Sequence, residues 1–128
     1  MPNTDLAEFA RLLIQHVRDT TIQSNDGELR PTATSPVAKR WQKTAQNSEP
    51  HIMAKTIIPD IVDDTIFSLL NAIDQGLIHL SFTTSAGKQI DLTKEGLGEM
   101  AGWFMGSQGW RSMYSKQRFS DDCADLAH

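Results

Sequence analysis

The sequence predicts an α+β domain, mainly α, with four to five helices packed around a central amphipathic helix at about 60–75 and one β-hairpin at about 77–92. Three observations predict it. Apolar residues recur at helical spacing in two segments, the period changes to two after Gly76, and clusters of Gly, Pro, Asn and Asp separate the periodic runs. At 128 residues the chain is one domain, large enough to bury a core without disulfides or metal.

The first helix is expected from Leu6, because Leu6, Phe9, Ala10, Leu13 and Val17 share one helical face and Asn3 or Thr4 can cap it. It ends near Thr20, and His16 beside its apolar face reads as a structural histidine. Ser24 to Ser35 collects turn-forming residues and is expected to be a loop. Ser35 followed by Pro36 is an N-cap with proline at the first helical position, opening a short helix through Val37, Trp41 and Thr44. Lys39, Arg40 and Lys43 flank Trp41, which reads as a core anchor among solvated cations rather than a platform for a nucleobase.

Gln46 to Lys55, with Pro50 and His51, is expected to be a second loop. The central helix then opens with Asp60, Asp63 and Asp64 in its first turn, where negative charge complements the helix dipole. Val62, Ile66, Leu69, Leu70 and Ile73 form its core face, and Gly76 is placed as its C-terminal cap. From Leu77 to Thr83, Ile78, Leu80 and Phe82 alternate with Leu77, His79 and Ser81. A turn at Thr84 to Lys88 returns the chain to Ile90 and Leu92, completing the hairpin.

Thr93 to Phe119 holds two of the three tryptophans, the only tyrosine, and glycines at 96, 98, 102, 106 and 109. Drawn as a helix capped by Thr93 and running to Met105, it places Leu97, Met100, Ala101, Phe104 and Met105 in one sector. Gly98, Gly102 and Gly106 then form a line without side chains. Interior glycines cost about 1 kcal/mol each relative to alanine, so the line predicts close packing of another element against Gly98, Gly102 and Gly106. A shorter helix follows past Trp110, Met113 and Tyr114, then a tail in which Asp121, Asp122 and Asp125 surround Cys123.

Hydrophobic residues at 39% and charged residues at 22% are ordinary for a globular domain and exclude a disordered chain. A net charge of −4 gives no general attraction to nucleic acid or anionic membrane, and neither is expected as a partner. One cysteine excludes an internal disulfide and a cysteine-rich zinc site; the expected location is cytoplasmic. Cys123 among carboxylates does not read as an activated nucleophile.

No phosphate-binding loop, dinucleotide fingerprint, nucleophile elbow or metalloprotease helix occurs, so no cofactor is expected. His16, His51, His79 and His128 are too scattered to mark a metal site. The enzyme reading uses Asp60, Asp63 and Asp64, which share a helix face and could hold a divalent cation for hydrolytic chemistry with His51 or His79. The favoured reading is a non-catalytic protein-binding domain of bacterial type, with an immunity or antitoxin-like role against a basic partner as its concrete form. Trp103, Trp110, Arg111 and Tyr114 are its expected partner-binding residues, being the types that dominate interface energies. A homodimer through the glycine line or the hairpin edge stays open as an alternative.

Overall fold

The computed structural model describes residues 4–123 and is mainly helical with one two-stranded hairpin, as the sequence predicts. Asn3, Asp125 and His128 lie outside the described residues. The first helical run is longer than expected: α1 (Thr4–Leu13) passes through a π-helical turn (Ile14–Arg18) into α2 (Asp19–Glu28). The expected loop at 24–35 therefore shrinks to the turn after Glu28. Local propensity is overridden by tertiary bonds, since Asn25 Nδ2 donates to Thr21 O at 2.8 Å and to Asp64 Oδ2 at 3.0 Å, tying α2 to a distant helix.

The N-cap of α3 (Pro36–Asn47) is as read from sequence, with Ser35 Oγ accepting from the Ala38 amide at 3.0 Å. Trp41 is buried as an anchor. The expected loop at 46–55 is a two-residue break at Ser48 and Glu49, because Pro50 begins α4 (Pro50–Asp74) instead of interrupting a coil. The central helix thus spans 25 residues, and Asp60, Asp63 and Asp64 sit in its middle rather than its first turn. Their carboxylates serve side-chain partners, not the helix dipole.

Pro59 lies inside α4 and has no N–H to offer the carbonyl four residues earlier. That carbonyl, Lys55 O, receives Arg118 Nη2 at 3.0 Å and Nε at 3.3 Å instead. A residue 63 positions away replaces the missing donor and fastens the C-terminal segment to α4. Helix α4 ends in a Schellman cap, with the Leu77 amide on Ala72 O at 2.9 Å, the Gly76 amide on Ile73 O at 3.0 Å, and Gly76 at φ +74°.

The same cap shortens the hairpin. The Leu77 and Ile78 amides both donate to Ala72 O, so they are unavailable for a ladder, and β1 is only Ser81–Thr83. It pairs antiparallel with β2 (Gln89–Asp91), Phe82 opposite Ile90. The core forms where the C-terminal half of α4 meets the π turn, the hairpin stem and the glycine-rich stretch: Val17, Ala72, Ile73, Ile78 and Met100 are its buried centre. Ile73 and Ile78 are its largest fully buried side chains, each contributing about 1.5–3 kcal/mol.

The glycine-rich stretch is not one helix. Asp91, not Thr93, caps α5 (Leu92–Glu95), its Oδ1 accepting from Thr93 and Lys94 amides. Leu97 at φ 56° and Gly98 at φ 72° then take left-handed conformations that no helix can continue through. The chain restarts as α6 (Met100–Met105), whose first amides are bonded by Asp74 of α4: Met100 N to Oδ1 at 3.1 Å and Ala101 N to Oδ2 at 2.9 Å. It ends at Gly106, and α7 (Trp110–Tyr114) follows as expected.

The line of Gly98, Gly102 and Gly106 therefore never exists on one helix, and the close packing expected of it is corrected. A Cβ on Gly102 would meet nothing within 4 Å, and one on Gly98 nothing closer than 3.8 Å. A Cβ on Gly106 would stand 3.1 Å from Gly102 O, the end of its own helix and not another element, and the closest approaches are at Gly96 and Gly109. Gly102→Ala is expected to raise stability by about 0.5–1 kcal/mol through helix propensity, whereas Gly98→Ala lowers it by about 1–2 kcal/mol through its left-handed φ. Paired thermal melts check this; a destabilised Gly102→Ala protein would restore the packing surface.

Candidate functional site

Helices α4 and α7, Phe104 of α6 and the tail form an apolar groove of about 630 Å³. One wall is α4, where Ile58, Val62 and Ile66 recur every four residues and stack along one face. The opposite wall is α7 with Trp110 and Tyr114, again four apart, and Phe119 from the tail. Ile58 is 53% exposed, Val62 51% and Tyr114 75%, so the walls stand open. The sequence places Val62 and Ile66 on the core face; the structure puts them on the groove, because the helices packed on α4 leave this side of it uncovered.

Arg111 lies in the groove base, 5% exposed. Its Nη1 donates to Asp63 Oδ2 at 2.7 Å and its Nη2 to Met105 O at 3.1 Å. The guanidinium carbon is 4.5 Å from the Phe119 ring centroid and 5.6 Å from that of Phe104. Its Nε is buried without an acceptor among the described residues. Arg111 is therefore a structural keystone joining α7, α4 and the tail, not an exposed contact residue.

A second arginine holds the other side of α4. Arg40 forks onto Asp60, with Nη2 to Oδ1 at 2.7 Å and Nε to Oδ2 at 3.2 Å, and onto Asp122, with Nη1 to Oδ1 at 2.9 Å. Trp41 Nε1 adds a bond to Asp60 Oδ2 at 2.7 Å. Burial works against the Arg40 charge, but the bonds to Asp122 and Asp60 outweigh it and hold the guanidinium above its ordinary pKa. Asp64 differs: burial pushes its carboxyl up, and hydrogen bonds from Ser24 and Asn25 only partly oppose this.

The three aspartates thus share a cavity of about 100 Å³ but go to separate partners: Asp60 to Arg40 and Trp41, Asp63 to Arg111, Asp64 to Asn25. Among the described residues no histidine lines that cavity. His16 reaches Asp64's other side, lining an adjacent pocket of about 260 Å³, while His51 is exposed beside Glu49 and His79 is exposed near Gly76. Among the described residues no group of three or more His, Cys, Asp or Glu is arranged to hold a metal ion.

Of the four residues singled out from sequence, the structure brings Trp110, Arg111 and Tyr114 to the groove. Trp103 is 37% exposed and does not line it; its ring centroid lies 6.2 Å from that of Trp110 at 54°. The residues missed are the α4 wall and Phe119. Their signal was present, since Ile58, Val62, Ile66 and Leu70 repeat at four-residue spacing on a helix that already has a core face.

No family model, curated protein or solved structure matches the chain. Among the described residues, no helix is long and apolar enough to cross a membrane.

Proposed function

We propose that this is a non-catalytic protein-binding domain whose binding surface is the groove between α4 and α7. The observation that supports the reading is the groove itself: an open apolar cleft of about 630 Å³ whose walls leave Ile58, Val62 and Tyr114 half or more exposed. Contiguous apolar surface of this kind is unfavourable in water and is expected where another surface covers it. Tyr114 and Trp110 supply the rigid, amphipathic area that anchors interfaces. Arg111 does not touch the partner directly; it holds the floor on which Trp110 and Phe119 stand.

The test is capture from cells of the source organism by tagged wild-type protein and two variants. Wild type and Phe82→Glu, which lies on the hairpin outside the groove, are expected to retain the same partner, and Val62→Glu to lose it while keeping its circular dichroism spectrum. Tyr114→Ala is expected to weaken binding of the purified partner by about tenfold, an interface contribution of at least about 1 kcal/mol. A Val62→Glu protein that captures the same partner as wild type would remove the groove from consideration.

A further inference from the structure

We infer that the polar pocket between the π-helical turn and α4 is a second binding site, for a small neutral ring polyol of monosaccharide size. It lies on the opposite face of α4 from the groove, since Ser68 and Asn71 are turned from Val62 by about 180 to 240° at 100° per residue.

Two helical rows line the pocket. His16, Thr20 and Ser24 recur every four residues through the π turn and α2, and Asp64, Ser68, Asn71 and Gln75 form a stripe along α4. Helices normally meet along apolar stripes, because a polar side chain buried without a partner is unfavourable. Here both rows are polar, and their groups are left unpaired. Ser68 is 8% exposed, yet its hydroxyl has no hydrogen-bond partner among the described residues, nor do the side chains of His16, Asn71 and Gln75. The others are engaged: Thr20 Oγ1 donates to Gln15 O at 3.2 Å, and Asp64 accepts from Asn25 Nδ2 at 3.0 Å and from the Ser24 hydroxyl. A buried hydroxyl of this kind calls for a partner from outside the chain. The π turn points the same way, since such single wide turns are frequent at functional sites and this one carries His16 to the pocket wall.

The chemistry of the lining selects the ligand. Among the described residues no lysine or arginine lines the pocket, so an anion finds no countercharge. The lining carboxylate, Asp64, is already shared by Asn25 and Ser24, so a polyamine or metal cation finds little free negative charge. What remains free is a hydroxyl, two amides and an imidazole, groups that both donate and accept, and a sugar hydroxyl also does both. Phe67, Ala72 and Leu77 supply apolar surface for the C–H face of the ring. At about 260 Å³ the pocket falls below the range of drug-sized sites, which suits a single ring rather than an oligosaccharide or a nucleotide.

Amide chemical-shift titration of the full-length protein tests this, with D-glucose, D-galactose, D-ribose and myo-inositol as probes and spermidine and inorganic phosphate as charged controls. At least one of the four polyols is expected to bind with a dissociation constant of about 1 mM or below, moving amides in 16–24 and 64–75, and each control to bind at least about tenfold more weakly. Ser68→Ala and Asn71→Ala are each expected to weaken that polyol by about tenfold, because each removes a hydrogen bond made to the ligand. Both variants are expected to melt at or above the wild-type temperature, since each loses an unpaired polar group and gains a better helix former. Val62→Glu, on the groove face, is expected to bind the polyol as wild type does.

Absence of a saturable shift with all four polyols at about 20 mM overturns the inference as a whole. Equal or tighter binding of spermidine or phosphate overturns the ligand class. Polyol binding that survives both Ser68→Ala and Asn71→Ala, or that Val62→Glu removes, overturns the site. A lowered melting temperature for both alanine variants with polyol binding unchanged makes the polar rows structural and overturns their binding role. Capture of a protein partner through the groove is untouched by any of these results, so the two readings fail separately.

Discussion

Arg111→Ala is expected to lower folding stability by about 3–5 kcal/mol, the range for breaking a buried ion pair by removing one partner. The substitution leaves Asp63 without its cation, Met105 O without a donor, and a void between Phe104 and Phe119. Charge is the larger part of the effect. Arg111→Met with Asp63→Leu is therefore expected to recover more than half of the loss, because no charge is left buried, the void is filled, and the unpartnered Nε is gone. Urea unfolding of the wild type, Arg111→Ala, Arg111→Met, Asp63→Leu and the double variant measures the loss and the coupling. A loss below about 1 kcal/mol for Arg111→Ala would mean that the pair does not hold α7 on α4.

Gly109→Ala is the second large effect, expected at about 2–3 kcal/mol or a fall in melting temperature of roughly 10 °C. Its backbone angles, φ −89° and ψ −161°, suit any residue, so the cost is steric. An added Cβ would stand 2.0 Å from Trp103 O and 3.0 Å from Gly106 O. Both neighbours are backbone and cannot rotate away. The turn between α6 and α7 must open, and Trp110 and Arg111 move with it, so the groove is expected to deform as stability falls. Scanning calorimetry on Gly109→Ala beside Gly102→Ala makes the contrast, since only the first has atoms in the way; a Gly109→Ala melting temperature equal to that of wild type would refute the close approach.

The elements legible in the sequence were those made by local chemistry. Ser35 and Pro36 start α3, Gly76 ends α4, Gly87 turns the hairpin, and Trp41 is buried. Errors arose where a distant residue supplies what the local chain lacks. Pro59 reads as a helix boundary until Arg118 is seen on Lys55 O, and α6 has no capping side chain of its own until Asp74 arrives from α4. The Gln46 to Lys55 and Ser24 to Ser35 stretches read as loops because α2 carries no apolar stripe and Pro50 serves equally as breaker or first helical residue.

The site divides in the same way. Trp110 and Tyr114 stood out by residue type, and both line the groove. Arg111 stood out for the same reason but is buried, because Asp63 and two aromatic rings enclose it. Sequence by itself determined the helical class, the hairpin, the main caps and the presence of an aromatic cluster near residue 110, all set by interactions within a few positions. Only the tertiary structure decided which face of α4 is covered, where the three aspartates spend their charge, and that an apolar groove opens between α4 and α7. Burial and electrostatic pairing depend on residues brought together from 20 to 82 positions apart, and no local pattern encodes them.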